Sequence, residues 1–129
     1  MQQTPVDLWH AAVDARDVAP FAPVVAESAE FLSPVVHTPQ IGKATVLKYL
    51  QAALAVLNNE SFRYIEELAG PRSAMLEFEL ELNGVYVNGV DLIRWNAEGQ
   101  VTQFKVMIRP LKGLNTVLPL MAEQLSRSF

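Results

Sequence analysis

One segment of the chain, residues 74–82, alternates between apolar residues and a second set dominated by glutamate, and Asn83-Gly84 follows it directly. A period of two indicates a β-strand with one buried face, and Asn-Gly is a preferred dipeptide for two-residue hairpin turns. Because such a turn sets the register of its hairpin, Asp91 on the return strand should lie opposite Leu76. The chain is therefore predicted to contain an antiparallel sheet with one apolar face.

Patterns on either side of this hairpin predict an α+β fold. Thr4-Pro5 offers a hydroxyl N-cap and a proline at the first helical position. The predicted helices span 5–16, a shorter stretch that begins at Asp17, 43–57, and a final segment from 111 that is kinked or split at Pro119. The other predicted strands span 29–36, 61–68, 85–95 and 101–109. Helices followed by a run of strands are typical of α+β folds rather than βαβ alternation.

Length and composition restrict the class of protein. With 129 residues, the chain is expected to form a single domain over residues 1–129. A formal net charge of −4 argues against a nucleic-acid partner, which would require a basic surface. The lack of cysteine excludes disulfides and thiol chemistry, and no apolar run is long enough for a membrane span. Because the N-terminus has no signal-peptide pattern, we expect a cytoplasmic protein.

The face of the sheet opposite the apolar residues is expected to carry charges of both signs. Its acids are Glu77, Glu79 and Glu81, and its bases are Arg94, Lys105 and Arg109. This face is interpreted in two ways. It is either a solvated surface, whose cross-strand pairs contribute about a few tenths of a kcal/mol each, or a complementary interface in a homodimer.

Asp91 breaks the pattern because the hairpin register places its carboxyl group on the apolar face, near Leu76 and Phe104. A carboxyl group in apolar surroundings tends to stay protonated, and a neutral acid can donate a hydrogen bond to a substrate oxygen. Asp91 is therefore the candidate catalytic residue, and a purely structural acid bonded to a backbone amide or to Trp9 is the alternative. The two histidines, His10 and His37, are interpreted as surface residues, and no metal-ligand spacing is found.

Four stretches of sequence, together with the order of the elements, resemble a known superfamily. The stretches are AAVDARDV at 11–18, AEFLSP at 29–34, IGKA at 41–44, and VDLIRWN at 90–96 with GQV at 99–101. Over nearly its whole length the chain resembles the nuclear transport factor 2-like superfamily, which includes SnoaL-like polyketide cyclases, ketosteroid isomerase, limonene epoxide hydrolase and scytalone dehydratase. The resemblance implies a cone-shaped, cystatin-like α+β fold, with N-terminal helices packed on a curved, mostly antiparallel sheet and a C-terminal helix.

The same resemblance assigns roles to individual positions. The oxyanion-hole acid of ketosteroid isomerase falls on Asp91 and its oxyanion-hole tyrosine on Trp9, whereas its general-base aspartate falls on Ser33. The water-activating aspartate of the epoxide hydrolase falls on Val106, its pocket tryptophan falls on Phe104, and its Arg-x-Asp pair has no counterpart. The resemblance thus implies that the acid is kept and the general base is lost.

Two functions are consistent with these residues. One is a cofactor-free isomerase, cyclase or hydratase that acts on a small hydrophobic carbonyl compound, with Asp91 as acid or acid/base and Trp9 as an orienting donor. The other is a non-catalytic module that binds a small apolar ligand or only forms a dimer. In both cases the expected pocket wall consists of Trp9, Phe31, Ser33, Leu76, Phe78, Asp91, Phe104, Val106 and Ile108. Neither function requires a metal or a cofactor.

Overall fold

The computed structural model describes residues 3–127, in which three α-helices lie against one six-stranded sheet. The helices are α1 (Pro5–Ala15), α2 (Lys43–Leu57) and α3 (Leu111–Ser126). The strands are β1 (Val25–Leu32), β2 (Gln40–Ile41), β3 (Arg63–Ala69), β4 (Ser73–Leu82), β5 (Val85–Trp95) and β6 (Val101–Arg109). Their order across the sheet is β2-β1-β6-β5-β4-β3, and β1 and β6 are the one parallel pair of neighbours within residues 3–127.

The β4–β5 hairpin has the predicted turn and the predicted register. Asn83 and Gly84 have φ angles of 52° and 78°, the left-handed conformations that a type I′ turn requires. Asp91 pairs with Leu76 as predicted, and the alternate residues of β4 from Ala74 onward are buried. The turn chemistry and the apolar alternation therefore agree, which is why this part of the sheet was predictable.

Helix α1 begins with a complete capping box. The Thr4 hydroxyl accepts a hydrogen bond from the Asp7 amide at 3.1 Å, and the Asp7 carboxylate accepts one from the Thr4 amide at 3.0 Å. The helix ends at Arg16, whose φ of 55° is left-handed. Its buried face includes Trp9 and Val13, so the predicted helix over 5–16 is confirmed to within one residue.

The segment after α1 does not form the predicted second α-helix. Asp17 caps only a short turn, in which its carboxylate accepts a hydrogen bond from the Ala19 amide at 2.9 Å, and a single 3-10 turn follows at Ala22–Val24. Pro20 and Pro23 each lack the amide donor that a regular helix needs, which limits this segment to turns. Strand β1 consequently starts at residue 25 and ends at residue 32, four residues earlier at each end than predicted.

Helix α3 is continuous through Pro119, whereas the sequence predicted a kink or a split there. A proline within a helix removes the bond to the carbonyl four residues earlier, which here belongs to Asn115. Both residues lie on the exposed side of α3, so water can reach the freed carbonyl. The helix therefore tolerates the proline. None of the helices within residues 3–127 is long and apolar enough to cross a membrane.

The charged residues of the sheet share one face, but the expected cross-strand ion pairs between them are not formed. The acids lie on β4 and Lys105 and Arg109 lie on β6, with β5 between them, so they are about 10 Å apart. Glu79 instead binds Arg63 of β3 and accepts a hydrogen bond from the Tyr86 hydroxyl at 3.0 Å. Among residues 3–127, the ion pairs are His10–Glu67, Arg63–Glu79 and Glu123–Arg127. The predicted pairing was therefore wrong.

The centre of the sheet provides a test of packing at Gly89. A Cβ atom there would lie 2.5 Å from Cζ of Phe78 and 2.6 Å from the Met107 carbonyl oxygen. Gly89→Ala is expected to lower the free energy of unfolding by about 2–3 kcal/mol, because neither the buried ring nor the strand can move without strain. Urea unfolding measures the change. Gly70→Ala is the matched control, since its Cβ would meet nothing closer than 3.4 Å, and equal losses in both variants would contradict the packing argument.

Candidate functional site

Asp91 lies in the middle of β5 with its carboxyl group inside the molecule. Only 6% of the residue is exposed, and its neighbours on the adjoining strands are Leu76 of β4 and Val106 of β6. Both neighbours are apolar, so the sheet itself offers the carboxyl group no charge partner. Its polar contacts come from elements that pack over the sheet.

Two aromatic side chains supply those contacts. The Trp9 indole nitrogen donates a hydrogen bond to the Tyr64 hydroxyl at 2.8 Å, and the Tyr64 hydroxyl donates one to Oδ2 of Asp91 at 2.5 Å. The three residues come from α1, β3 and β5, so this relay joins a helix to two separate strands. No backbone amide within residues 3–127 donates to the carboxyl group. The group is therefore held only by side chains.

Burial controls the protonation of this pair. Desolvation raises the pKa of Asp91 to about 7, although the hydrogen bond from Tyr64 and the nearby Trp9 indole N–H act in the opposite direction. Burial and the neighbouring Asp91 charge raise the pKa of Tyr64 well above its usual value near 10. At neutral pH Tyr64 thus keeps its proton, and Asp91 is present in both its charged and its neutral form.

The Asp91 carboxyl group borders a small cavity, which we name the inner chamber. Its volume is about 30 Å³, enough for about one or two water molecules. Aromatic and aliphatic side chains make up most of the wall, in which Phe62 stacks on Phe78 at a centroid distance of 5.4 Å and meets Tyr64 edge to face at 5.1 Å. The chamber therefore places the Asp91 carboxyl group within a mostly apolar wall.

A larger apolar cavity of about 180 Å³ lies beside the inner chamber, and we name it the outer cavity. Ala53, Leu57 and Val106 line both, so a single layer of side chains separates them. Helix α3 covers much of the outer cavity. Three of the large apolar lining residues, Val35, Val36 and Leu118, are also exposed on the surface, so the outer cavity extends to the surface between the 33–36 segment and α3.

The structure distributes the predicted pocket residues over these two spaces. Trp9, Phe78, Phe104 and Asp91 line the inner chamber, and Val106 lines both spaces. Phe31, Ser33 and Ile108 line the outer cavity. Leu76 lines neither, and it is fully buried in the hydrophobic core.

Three contributors to the site were missed by the sequence analysis. Tyr64, the hydrogen-bond partner of Asp91, lies on a strand whose burial barely alternates, so no periodicity marks it as facing inward. Tyr49 of α2 stacks on Phe31 at 5.2 Å in the wall of the outer cavity. The apolar residues of α3 have helical spacing in the sequence, but this spacing does not show whether they line a cavity or pack in the core.

The histidines lie outside both spaces. His10 contacts the Glu67 carboxylate near the surface, and its ring meets the Tyr64 ring edge to face at 5.5 Å. His37 is exposed in the loop before β2. Within the described part of the chain, no three His, Asp or Glu side chains are grouped so that they could hold a metal ion.

Comparison with known proteins identifies the fold. A family model described as SnoaL-like domain matches residues 6–104. A steroid delta-isomerase from Pseudomonas aeruginosa matches with a TM-score of 0.89 and 31% identity, covering 95% of this chain and 90% of that chain. An uncharacterised protein with a cystatin-like fold from Silicibacter pomeroyi matches with a TM-score of 0.87 and 24% identity, over 96% of this chain and 86% of that one. The search of curated proteins finds no match.

More distant structures have the same architecture. An epoxide hydrolase/cyclase-like enzyme of pyran ring formation in the polyether salinomycin matches with a TM-score of 0.64 and 20% identity, over 83% of this chain and 89% of that one. The fold class implied by the sequence resemblance is confirmed, including the curved, mostly antiparallel sheet and the C-terminal helix. With a family model over more than half of its length, the chain belongs to the SnoaL-like domain family within the nuclear transport factor 2-like superfamily.

Proposed function

We propose that this protein binds a small, largely apolar carbonyl compound and acts on it as a cofactor-free isomerase, cyclase or hydratase, with Asp91 as the acid. One observation supports this above all: a buried carboxyl group with a pKa of about 7, bonded only to side chains, borders a chamber beside an apolar cavity. The Pseudomonas aeruginosa relative named as a steroid delta-isomerase makes proton-transfer chemistry the natural class to test.

The dimensions of the two spaces suggest how such a compound would bind. The inner chamber of about 30 Å³ suits a single oxygen atom, and the outer cavity of about 180 Å³ suits its apolar body. An apolar cavity of about 150 Å³ holds one benzene molecule, so one substituted ring is the expected size. A steroid skeleton is several times larger than benzene, which makes a monocyclic ketone the better candidate. To bind in this way, the ligand has to pass Ala53, Leu57 and Val106.

The chemistry available to Asp91 follows from its protonation. A neutral carboxyl group can donate its hydrogen to a carbonyl oxygen and stabilise the negative charge that develops there when a neighbouring carbon loses a proton or is attacked. Trp9 supports the relay by donating to Tyr64, which in turn donates to Asp91. The tyrosine and tryptophan therefore orient the acid, and Asp91 contacts the substrate.

One observation favours the non-catalytic alternative. The outer cavity contains neither a carboxylate nor a histidine in its described lining, and Ser33 occupies the position at which the resemblance places the base. The Ser33 hydroxyl already accepts a hydrogen bond from the Val35 amide at 3.1 Å. A serine cannot shuttle a proton between carbon atoms at neutral pH, so a binding module that keeps only the acid is the second candidate.

Ligand binding should depend on pH only when the ligand carries a carbonyl oxygen. Acetophenone is expected to bind more weakly as pH rises above about 7, by up to about tenfold per pH unit, because its partner is the neutral form of Asp91. Ethylbenzene, which has the same shape without the oxygen, is expected to show no such dependence. Titration calorimetry or NMR measures both affinities, and Asp91→Asn should abolish the pH dependence for acetophenone.

Turnover separates the two candidate functions. Cyclohex-3-enone, a one-ring β,γ-unsaturated ketone, gains ultraviolet absorbance when its double bond becomes conjugated. Its C2 proton is acidified by both the carbonyl group and the double bond, so water can remove it while Asp91 donates to the carbonyl oxygen, and a proton then returns at C4. An enzyme should accelerate this reaction, and Asp91→Asn should lower the rate about 100-fold, the usual contribution of a general acid or base. Ketone binding without any turnover would favour the binding module. Equal affinity for acetophenone in both proteins at every pH would exclude Asp91 as the donor.

Stability should also report the protonation of Asp91. Its pKa is raised by burial, so between about pH 4 and pH 7 the unfolded chain has released this proton while the folded chain still holds it. The free energy of unfolding should therefore fall as pH rises through this range, by at most about 1.4 kcal/mol per pH unit, and level off above it. Asp91→Asn should lack this component. Urea unfolding of both proteins gives the difference, and parallel curves would show that Asp91 titrates normally.

We further propose that the charged sheet face forms a homodimer interface, as the sequence suggested. In a two-fold dimer, acids on β4 of one subunit can meet bases on β6 of the other, which their separation within one chain prevents. Glu81→Lys should weaken the dimer, whereas Glu98→Lys makes the same charge change in the β5–β6 turn and should not. Light scattering at low and high salt measures the assembly, and a monomer under both conditions would contradict the dimer.

A further inference from the structure

A third space, a polar surface cleft of about 310 Å³, lies on the side of the inner chamber away from the outer cavity. Its charged residues are His10, Asp14, Arg16 and Arg63. His10 contacts Glu67, and Arg63 forms an ion pair with Glu79. This cleft is more open to solvent than the chamber that holds Asp91.

The wall between the cleft and the inner chamber is one side chain thick. Val13, Asn58, Phe62 and Tyr64 line both spaces. Bulk water is therefore held away from the Asp91 carboxyl group by four side chains, which belong to the end of α1, the end of α2, and β3 with the residue that precedes it. Any displacement of this wall would hydrate the chamber.

Asn58 is the polar member of this wall that joins two helices. It is the C-cap residue of α2, and its amide nitrogen Nδ2 donates a hydrogen bond to the Val13 carbonyl oxygen at 2.7 Å. That carbonyl lies in the last turn of α1, where helical carbonyls have lost their regular donors. The bond therefore holds the C-terminal ends of α1 and α2 together directly over the chamber.

The other wall residues are fixed by different contacts. Phe62 stacks on Phe78 at 5.4 Å, and Tyr64 is held by the hydrogen bonds to Trp9 and Asp91. These contacts anchor the strand side of the wall to the sheet. On the helix side, the Asn58 bond ties the backbone of Val13 to the end of α2 beside the same layer.

We propose that Asn58 is a positioning residue that seals the inner chamber against the polar cleft and so keeps Asp91 dehydrated. The proposal rests on the proposed function, since it concerns the environment in which Asp91 would act as a neutral acid. Within residues 3–127, Tyr64 is the titratable side chain that hydrogen-bonds to the Asp91 carboxyl group, and the charge of Glu67, on the same strand, acts on the Tyr64 hydroxyl. Water from the cleft reaches Asp91 across this wall only if the wall opens.

Removal of the hydrogen bond between Asn58 and Val13 should change the pKa of Asp91. Asn58→Ala is expected to lower its pKa by about one unit, a tenfold stronger acid, because water that enters the chamber stabilises the carboxylate. Carbon-13 NMR titration of the Asp91 carboxyl group measures this shift. The indole N–H of Trp9 should also exchange with solvent about tenfold faster, with the Trp95 indole as reference in the same molecule. If Asn58→Ala does not fold, Asn58→Ser is measured in its place.

Gln51→Ala is the matched control. Gln51 is also an amide of α2 that bonds to the end of α1, since it donates to the Arg16 carbonyl at 3.4 Å and accepts from the Val18 amide at 3.0 Å. It lines neither the chamber nor the cleft. Its loss should lower stability without changing the pKa of Asp91 or the exchange of the Trp9 indole.

The outcomes distinguish the proposed role of Asn58 from the proposed role of Asp91 as an acid. An unchanged pKa of Asp91 in the Asn58 variant would overturn the proposal, and so would an equal shift in the Gln51 variant, which would indicate general loosening. If Asp91 of the unmodified protein titrates in the ordinary carboxyl range, the proposed function itself fails. If the pKa of Asp91 is elevated in the unmodified protein and unchanged in the Asn58 variant, only the proposed role of Asn58 is contradicted.

Discussion

The burial of one carboxyl group on an apolar sheet face is the constraint on which the rest of this structure depends. Asp91 lies between Leu76 and Val106, neither of which can solvate it. A buried polar group is tolerated only if it is hydrogen-bonded, so Tyr64 and Trp9 have to reach it. That requirement brings the outermost strand β3 and the first helix α1 together over the centre of the sheet.

Two opposing effects decide the state of this carboxyl group. The hydrogen bond from Tyr64 and the nearby Trp9 indole N–H favour the charged form, whereas desolvation favours the neutral form, and desolvation is the larger effect. The apolar wall is thus as important as the hydrogen bonds. If water entered the chamber, the carboxyl group would ionise at neutral pH and lose its ability to donate. The same apolar residues that enclose Asp91 therefore determine whether it can act as an acid.

The sequence predicted the features that local chemistry controls. Asn83-Gly84 set the hairpin register, and that register alone placed Asp91 on the inner face. Tyr64 could not be predicted in the same way, because β3 joins β4 through a register shift between Tyr64 and Glu66 that no local pattern encodes. The inner chamber depends on how α1 and α2 pack over the sheet, and the outer cavity depends on how α2 and α3 pack, which is decided by the whole chain. The helix predicted from Asp17 is a third case, since it does not form: Pro20 and Pro23 lack the amide donors of a regular helix, and the N-cap at Asp17 does not compensate for them.

The fold of the SnoaL-like domain supplies a cavity, but the residues at its two ends decide which chemistry it can perform. Here the inner end keeps an acid and an aromatic relay, whereas the outer end has Ser33, whose hydroxyl is engaged with the Val35 amide. A reaction that needs a strong base to remove a proton from carbon is poorly served by this arrangement. A reaction in which the substrate carbon is already activated needs only a donor at the carbonyl oxygen. The unequal ends of the cavity therefore favour substrates whose own acidity replaces the absent base.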